Sequence, residues 1–229
     1  MGLDMYLERM PRYKNTTPNE INRLCHYFEW RHNKAIPGSK ESKHTLKEWC
    51  GIDYKDVPTG DVRNFYFEHF VMKPYGWDYE QRYGLHGCIS EEVGYWRKAN
   101  QIHNWFVENV QDGVDDCDYH DEVTKETLED LLDVCNRVLA SCELKSGKIA
   151  NGYTVNENGT RIPILEDGMY INNSSVAEEL LPSTSGFFFG STDYDEYYVD
   201  DIKCTIDIIT KVLTTTDFEK QMIYYCSSW

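Results

Sequence analysis

Three stretches of this chain repeat apolar residues at helical spacing, and strand-like segments lie between them. Ile102, Trp105, Phe106 and Val110 share one face of a helix expected over 98–110, ended by Gly113. Leu131, Leu132, Cys135, Val138, Leu139 and Cys142 do the same over 124–143. Thr124 stands there as the cap and the first turn is acidic, as the helix dipole favours. Ile202, Ile206, Ile209 and Val212 mark a third helix over about 192–213, with Thr192 as the expected cap. A helix with one apolar face must lay that face on something, and the strands supply it. Residues 3–12, 92–97 and 222–226 read as strands, and Phe187-Phe188-Phe189 between Gly186 and Gly190 as a buried one. Residues 153–155 and 162–165 flank Asn156-Glu157-Asn158-Gly159 as a hairpin. The order lacks the regular strand–helix alternation of a doubly wound sheet. The expected fold is α+β, a mixed and largely antiparallel sheet with packed helices. It forms a single domain over 1–229 with its core in 90–229. Residues 13–88 read as an N-terminal helical and irregular insertion, opened by the helix start Thr17-Pro18-Asn19-Glu20.

With 41% hydrophobic and 14% aromatic residues the chain can fill such a core and does not match a disordered acidic tail. Its formal charge of −16 is unevenly placed. Residues 1–100 carry 15 Lys and Arg against 14 Asp and Glu, whereas residues 101–229 carry 8 against 25. Phosphate contacts need the opposite sign, so direct binding to nucleic acid is not expected. The acidity serves either solubility alone or docking onto a basic partner. No apolar run reaches the roughly 18–20 residues of a membrane span, and the start has no pattern of a secretory signal. The eight cysteines form no Cys-x-x-Cys pair, which suits a reducing compartment, with Cys135 and Cys142 in the core.

Familiar catalytic signatures are missing, including the phosphate-binding glycine loops, His-Glu-x-x-His and Gly-x-Ser-x-Gly. The chain is therefore read as a binding protein and not an enzyme. Three groups carry possible chemistry. His86, Cys88, Cys117 and His120 could hold a structural zinc ion, because two thiolates and two imidazoles suit tetrahedral zinc. Cys25, His26, His44 and Cys50 form a second such grouping, and buried cysteines with ordinary surface histidines are the plainer reading of both. Asp112, Asp115 and Asp116 with Asp193, Asp195, Glu196, Asp200 and Asp201 could build one negative, partner-binding face. Tyr194, Tyr197 and Tyr198 are interleaved there, and carboxylates among stackable rings can imitate a nucleic-acid strand. The plainer reading is a solvated surface. Arg97, Lys98, Asn100 and His103 stand at a strand-to-helix junction, where an anion-bearing small ligand could sit, with Ser185 and Ser191 as lining. The alternative is that Trp96 is core and the two cations neutralise nearby carboxylates.

Several stretches resemble a widespread set of small phage and prophage proteins. They are Met1-Gly2-Leu3-Asp4-Met5-Tyr6-Leu7, Glu92-Val93-Gly94-Tyr95-Trp96-Arg97-Lys98-Ala99-Asn100, Gln111-Asp112-Gly113-Val114-Asp115-Asp116-Cys117, Ser185-Gly186-Phe187-Phe188-Phe189-Gly190-Ser191 and Ser227-Ser228-Trp229. The resemblance implies a viral accessory protein of the bacterial host cytoplasm. Its acidity is similar to that of phage anti-CRISPR inhibitors of Cas9-type nucleases, which implies a host CRISPR effector nuclease as protein partner. A nucleotide-binding or sponge protein is the alternative.

Overall fold

A computed structural model describes residues 2–12, 90–115, 117, 122–186 and 189–229, with isolated positions at 17, 23, 27, 45, 47, 48, 53 and 55. The insertion expected at 13–88 lies outside the described residues apart from those positions. The described elements are β1 (Asp4–Pro11), β2 (Glu91–Arg97), α1 (Asn100–Val110), β3 (Glu122–Val123) and α2 (Lys125–Ser141). They continue with β4 (Leu144–Val155), β5 (Arg161–Ile171), α3 (Ser175–Leu180), α4 (Glu196–Thr215) and β6 (Gln221–Ser228). Four strands form one sheet in the order β2-β1-β6-β3, and β4 and β5 form a second, two-stranded sheet. Every pairing is antiparallel, so the α+β expectation holds. Among the described residues no helix is long and apolar enough to cross a membrane.

The ladder between β1 and β6 runs from Asp4↔Ser228 to Pro11↔Gln221 without a break. Strand side chains alternate between faces, and Leu3, Met5 and Leu7 put one face of the ladder into the main core with Ile223 and Tyr225. Tyr225 stacks on Phe106 of α1 at a centroid distance of 4.2 Å. Met222 and Tyr224 alternate with those residues and are fully buried as well, so the apolar run Met222–Cys226 is covered on both faces. Burying each such side chain stabilises by about 1.5–3 kcal/mol. The three helical faces read from the sequence enter the same core through Ile102, Phe106 and Val110, through Leu128, Leu131, Cys135 and Val138, and through Ile202, Ile209 and Val212.

Helix starts show where the sequence reading needed correction. Thr124 caps α2 as expected, its Oγ1 accepting from Thr127 N at 3.1 Å. The cap of α4 is Asp195 and not Thr192, because Asp195 Oδ1 accepts from both Tyr197 N and Tyr198 N. Helix α1 starts at Asn100 and not at 98, because Lys98 adopts a left-handed φ of 63° that breaks the chain out of β2. Phe189 is buried in irregular chain, and Phe187 and Phe188 lie outside the described residues.

Gly94 lets α4 lie directly on β2. A Cβ there would meet Ile208 Cγ2 at 2.6 Å. Behind that contact, Trp96 Nε1 donates to Thr205 Oγ1 at 2.9 Å, and Thr205 donates onward to Asp201 O. Overpacking this seam with Gly94→Ala should therefore destabilise the fold by about 1–3 kcal/mol. Urea unfolding checks this, and an unchanged midpoint would show that α4 can move off β2 freely.

Candidate functional site

The long hairpin is the least expected element. The sequence leads to an expectation of strand only at 153–155 and 162–165 in this region. The structure pairs Leu144↔Ile171 through Val155↔Arg161, with an irregularity between Ala150 and Tyr153. Gly152, at φ 90°, supplies the left-handed residue of that irregularity. An isolated two-stranded ribbon is marginal in water, and this one is held at its base. Ile171 N donates to Tyr194 O at 2.9 Å, Asn172 N to Glu143 O at 2.8 Å, and Met169 N to Glu196 Oε1 at 3.1 Å. Tyr197 and Asn151 both donate to Glu166 Oε1.

Away from the base the ribbon leaves several apolar side chains exposed. Tyr153, Val155, Ile162, Ile164 and Leu165 are between 44% and 62% exposed. With Tyr170, six of the ten large exposed hydrophobic residues described belong to this hairpin, so the apolar surface is concentrated and not scattered.

A cleft of about 660 Å³ opens between the hairpin, the junction of β2 with α1, and the start of α4. Ala150, Asn151, Gly152 and Tyr153 line it from the hairpin, and Arg97, Lys98 and Gln101 from the junction. Asp193, Asp195, Tyr197, Tyr198, Asp200 and Asp201 line it from the start of α4. Two groups predicted separately thus meet in one place. Of the acidic group, Asp193, Asp195, Asp200 and Asp201 reach the cleft, while Glu196 faces β5 through Met169 N. Of the ligand group, Arg97 and Lys98 line it with Ser191.

The other predicted residues sit elsewhere. Asn100 is buried and ties two loops, its Nδ2 donating to Ser191 O at 2.7 Å and its Oδ1 accepting from Thr184 N at 2.8 Å. His103 is 1% exposed and bonds Tyr225 Oη at 2.7 Å and Asp115 Oδ1 at 3.0 Å. A carboxylate only accepts, so His103 carries its proton on Nε2 and its Nδ1 accepts from the Tyr225 hydroxyl. Burial holds this imidazole below its usual value despite the pull of Asp115. Asp115 also accepts from Trp229 Nε1, and Asp112 occupies a tight turn at φ 52°. Neither lines the cleft. Cys117 is exposed and unbonded to another sulfur. His86, Cys88, His120 and Asp116 lie outside the described residues, as do Cys25, His26, His44 and Cys50. No group of three or more metal-ligating side chains gathers among the described residues.

Two of the cleft carboxylates, Asp195 and Asp201, are electrostatically unusual. Burial pushes the Asp201 carboxyl up to about 6, with Asp195 and Asp200 adding to the rise and the Gln101 amide bond opposing it. Burial also raises Asp195, against the two backbone bonds that favour its charged form. Asp195 is 2% exposed, and its Oδ2 has no partner among the described residues. Sequence reasoning missed the hairpin residues and Gln101. The run Ile162-Pro163-Ile164-Leu165 was the available signal, since a half-buried strand would not place apolar residues on both faces.

No protein-family model, curated protein or solved structure matches the chain.

A raised carboxyl opposes folding only while it is ionised. The penalty from Asp201 is small below about pH 4, grows as pH rises to about 6, and is constant above that. Asp201→Asn keeps an acceptor for Gln101 and removes the penalty. It should stabilise by about 2 kcal/mol near pH 7 and by less than about 1 kcal/mol near pH 4. Thermal melts at the two pH values measure this, and equal gains at both would contradict a buried, reluctant carboxylate.

Proposed function

We propose that this chain acts by binding another protein, with the apolar hairpin as anchor and the acidic cleft beside it as the site of charge recognition. The observation that carries this reading is the exposed set Tyr153, Val155, Ile162, Ile164 and Leu165 on a ribbon whose inner residues also line the cleft. Protein interfaces combine a desolvated apolar or aromatic centre with a polar surround. The surround here is carboxylate-rich, in line with the excess of 25 acidic over 8 basic residues in 101–229. A basic protein surface is the complementary partner, and the channel that holds guide and target strands in a CRISPR effector nuclease is such a surface. Together with the resemblance to phage proteins, this supports inhibition of a Cas9-type nuclease in the bacterial host cytoplasm, by contact and without catalysis. Association steered by charge is fast and weakens with salt.

Plasmid cleavage by several Cas9-type nucleases, with and without this protein, tests the reading. Inhibition should weaken as salt is raised. Ile162→Ser combined with Leu165→Ser should weaken it at least about tenfold, since loss of a central apolar anchor is worth over about 1.4 kcal/mol. Both positions are exposed, so the melting temperature should stay close to that of the parent. Undiminished cleavage at large molar excess would remove the nuclease as partner, and full inhibition by the double variant would remove the hairpin as anchor.

A further inference from the structure

Asp195 is the most constrained acidic residue in the cleft. Its Oδ1 is occupied in capping α4, by Tyr197 N at 2.9 Å and Tyr198 N at 3.1 Å. Its Oδ2 is buried without a partner among the described residues. A buried polar atom left unpaired is unfavourable, and a carboxylate oxygen more so than a neutral one. Asp201, in the second turn of the helix that Asp195 caps, holds Gln101 Nε2 through Oδ2 at 3.1 Å and lines the same cleft. Asp193 and Asp200 add two more carboxylates. Tyr153, Tyr197 and Phe189 bring aromatic rings to the lining. Among the described residues these carboxylates do not gather closely enough to ligate a metal ion. The chemistry that satisfies spaced carboxylates and aromatic faces together is a planar organic cation.

We infer that the cleft is a receptor for a guanidinium group, which donates to Asp195 Oδ2 and the Asp201 carboxylate while its plane lies against the tyrosine rings. Guanidinium fits better than ammonium for three reasons. Its fork offers five donors in fixed geometry, it is weakly hydrated and so enters a partly buried site readily, and it stacks on aromatic faces. Arg97 and Lys98 also line the cleft, so its surplus is four carboxylates over two cations. Those two cations orient the ligand, keeping its cationic end toward α4 and drawing any neighbouring anion toward the junction of β2 with α1. The source is an arginine side chain of the protein partner, and for that source the inference rests on the protein-binding reading. The site itself does not.

The test is calorimetric titration of the full chain with an acetylated and amidated Gly-Arg-Gly peptide, the matching Gly-Lys-Gly peptide, and free arginine. The arginine peptide should bind at least tenfold more tightly than the lysine peptide. Asp195→Asn should weaken it at least tenfold with no loss of melting temperature, since asparagine caps helices as well as aspartate does. Asp201→Asn should weaken it in the same direction, which guards against an effect peculiar to the cap. Free arginine binding more tightly than the peptide would keep the guanidinium site and assign its source to a small molecule. Equal binding of the two peptides, no binding at millimolar concentration, or unchanged binding by Asp195→Asn would overturn the site. Nuclease inhibition without arginine binding would leave the protein-binding reading standing and this inference refuted. Arginine binding without inhibition of any nuclease would uphold this inference and remove the nuclease as the source of the arginine.

Discussion

The unbroken ladder between β1 and β6 is the contact on which the rest of the structure depends. It joins residues more than two hundred positions apart, from Asp4↔Ser228 to Pro11↔Gln221. Closing so long a loop is entropically unfavourable, and the cost grows only slowly with length. The buried run Met222–Cys226 offsets it with apolar side chains on both faces of one strand. Once the ladder is in place, β2 pairs on the free side of β1, and α1 leaves β2 at Lys98 to pack Phe106 on Tyr225. Helix α4, which leads into β6, then meets β2 at Gly94. The cleft lies at the start of that helix, so its geometry is fixed by packing at a distance from it.

The hairpin has a different physical status. Its strands pair with each other and, beyond that, through a single bridge from Tyr170 to Asp195, and it contributes few side chains to the core, chiefly Leu144 and Ile171 near its base. Its anchorage is polar and local, through Tyr194 O, Glu196 and Glu143. A folded chain keeps such an apolar ribbon in water at some risk of association. In the proposed role, contact with another protein gives that exposure a physical reason, and the neighbouring carboxylates favour a basic surface on it.

The parts of the fold legible from sequence were those with strong periodicity. The helical faces of Ile102–Phe106, Leu131–Val138 and Ile202–Val212 emerged because burial enforces a 3.6-residue repeat. The terminal strands emerged because Leu3, Met5 and Leu7 alternate and Met222–Cys226 does not. What failed was local. Thr192 and Asp195 are both competent caps by residue type, and the helix begins where Asp195 Oδ1 collects Tyr197 N and Tyr198 N. Lys98 gave no sign of a left-handed backbone, a conformation more often met in glycine or asparagine. The length of the hairpin was hidden because Gly147, Gly152 and Gly168 lower strand propensity where pairing supplies the order. In the site, the residue types Arg97, Lys98, Asp193, Asp195, Asp200 and Asp201 were legible, and their convergence was not. That convergence depends on α4 crossing β2, which one sequence does not encode locally. His103 and Asn100 looked like surface ligands because polar residues at a helix start often are. Here the loop carrying Phe189 packs on them: Asn100 satisfies the carbonyls of Phe189 and Ser191, and the His103 ring meets Phe189 edge to face.

The central claim is that hairpin and acidic cleft form one binding surface. Amide hydrogen exchange on the whole chain, free and with a Cas9-type nuclease, measures that surface directly. The account predicts slowed exchange in the complex over residues 150–166 and 191–201, with the β1–β6 ladder unchanged because it is already protected. Protection confined to other segments, with both of these ranges exchanging as in the free protein, would contradict it.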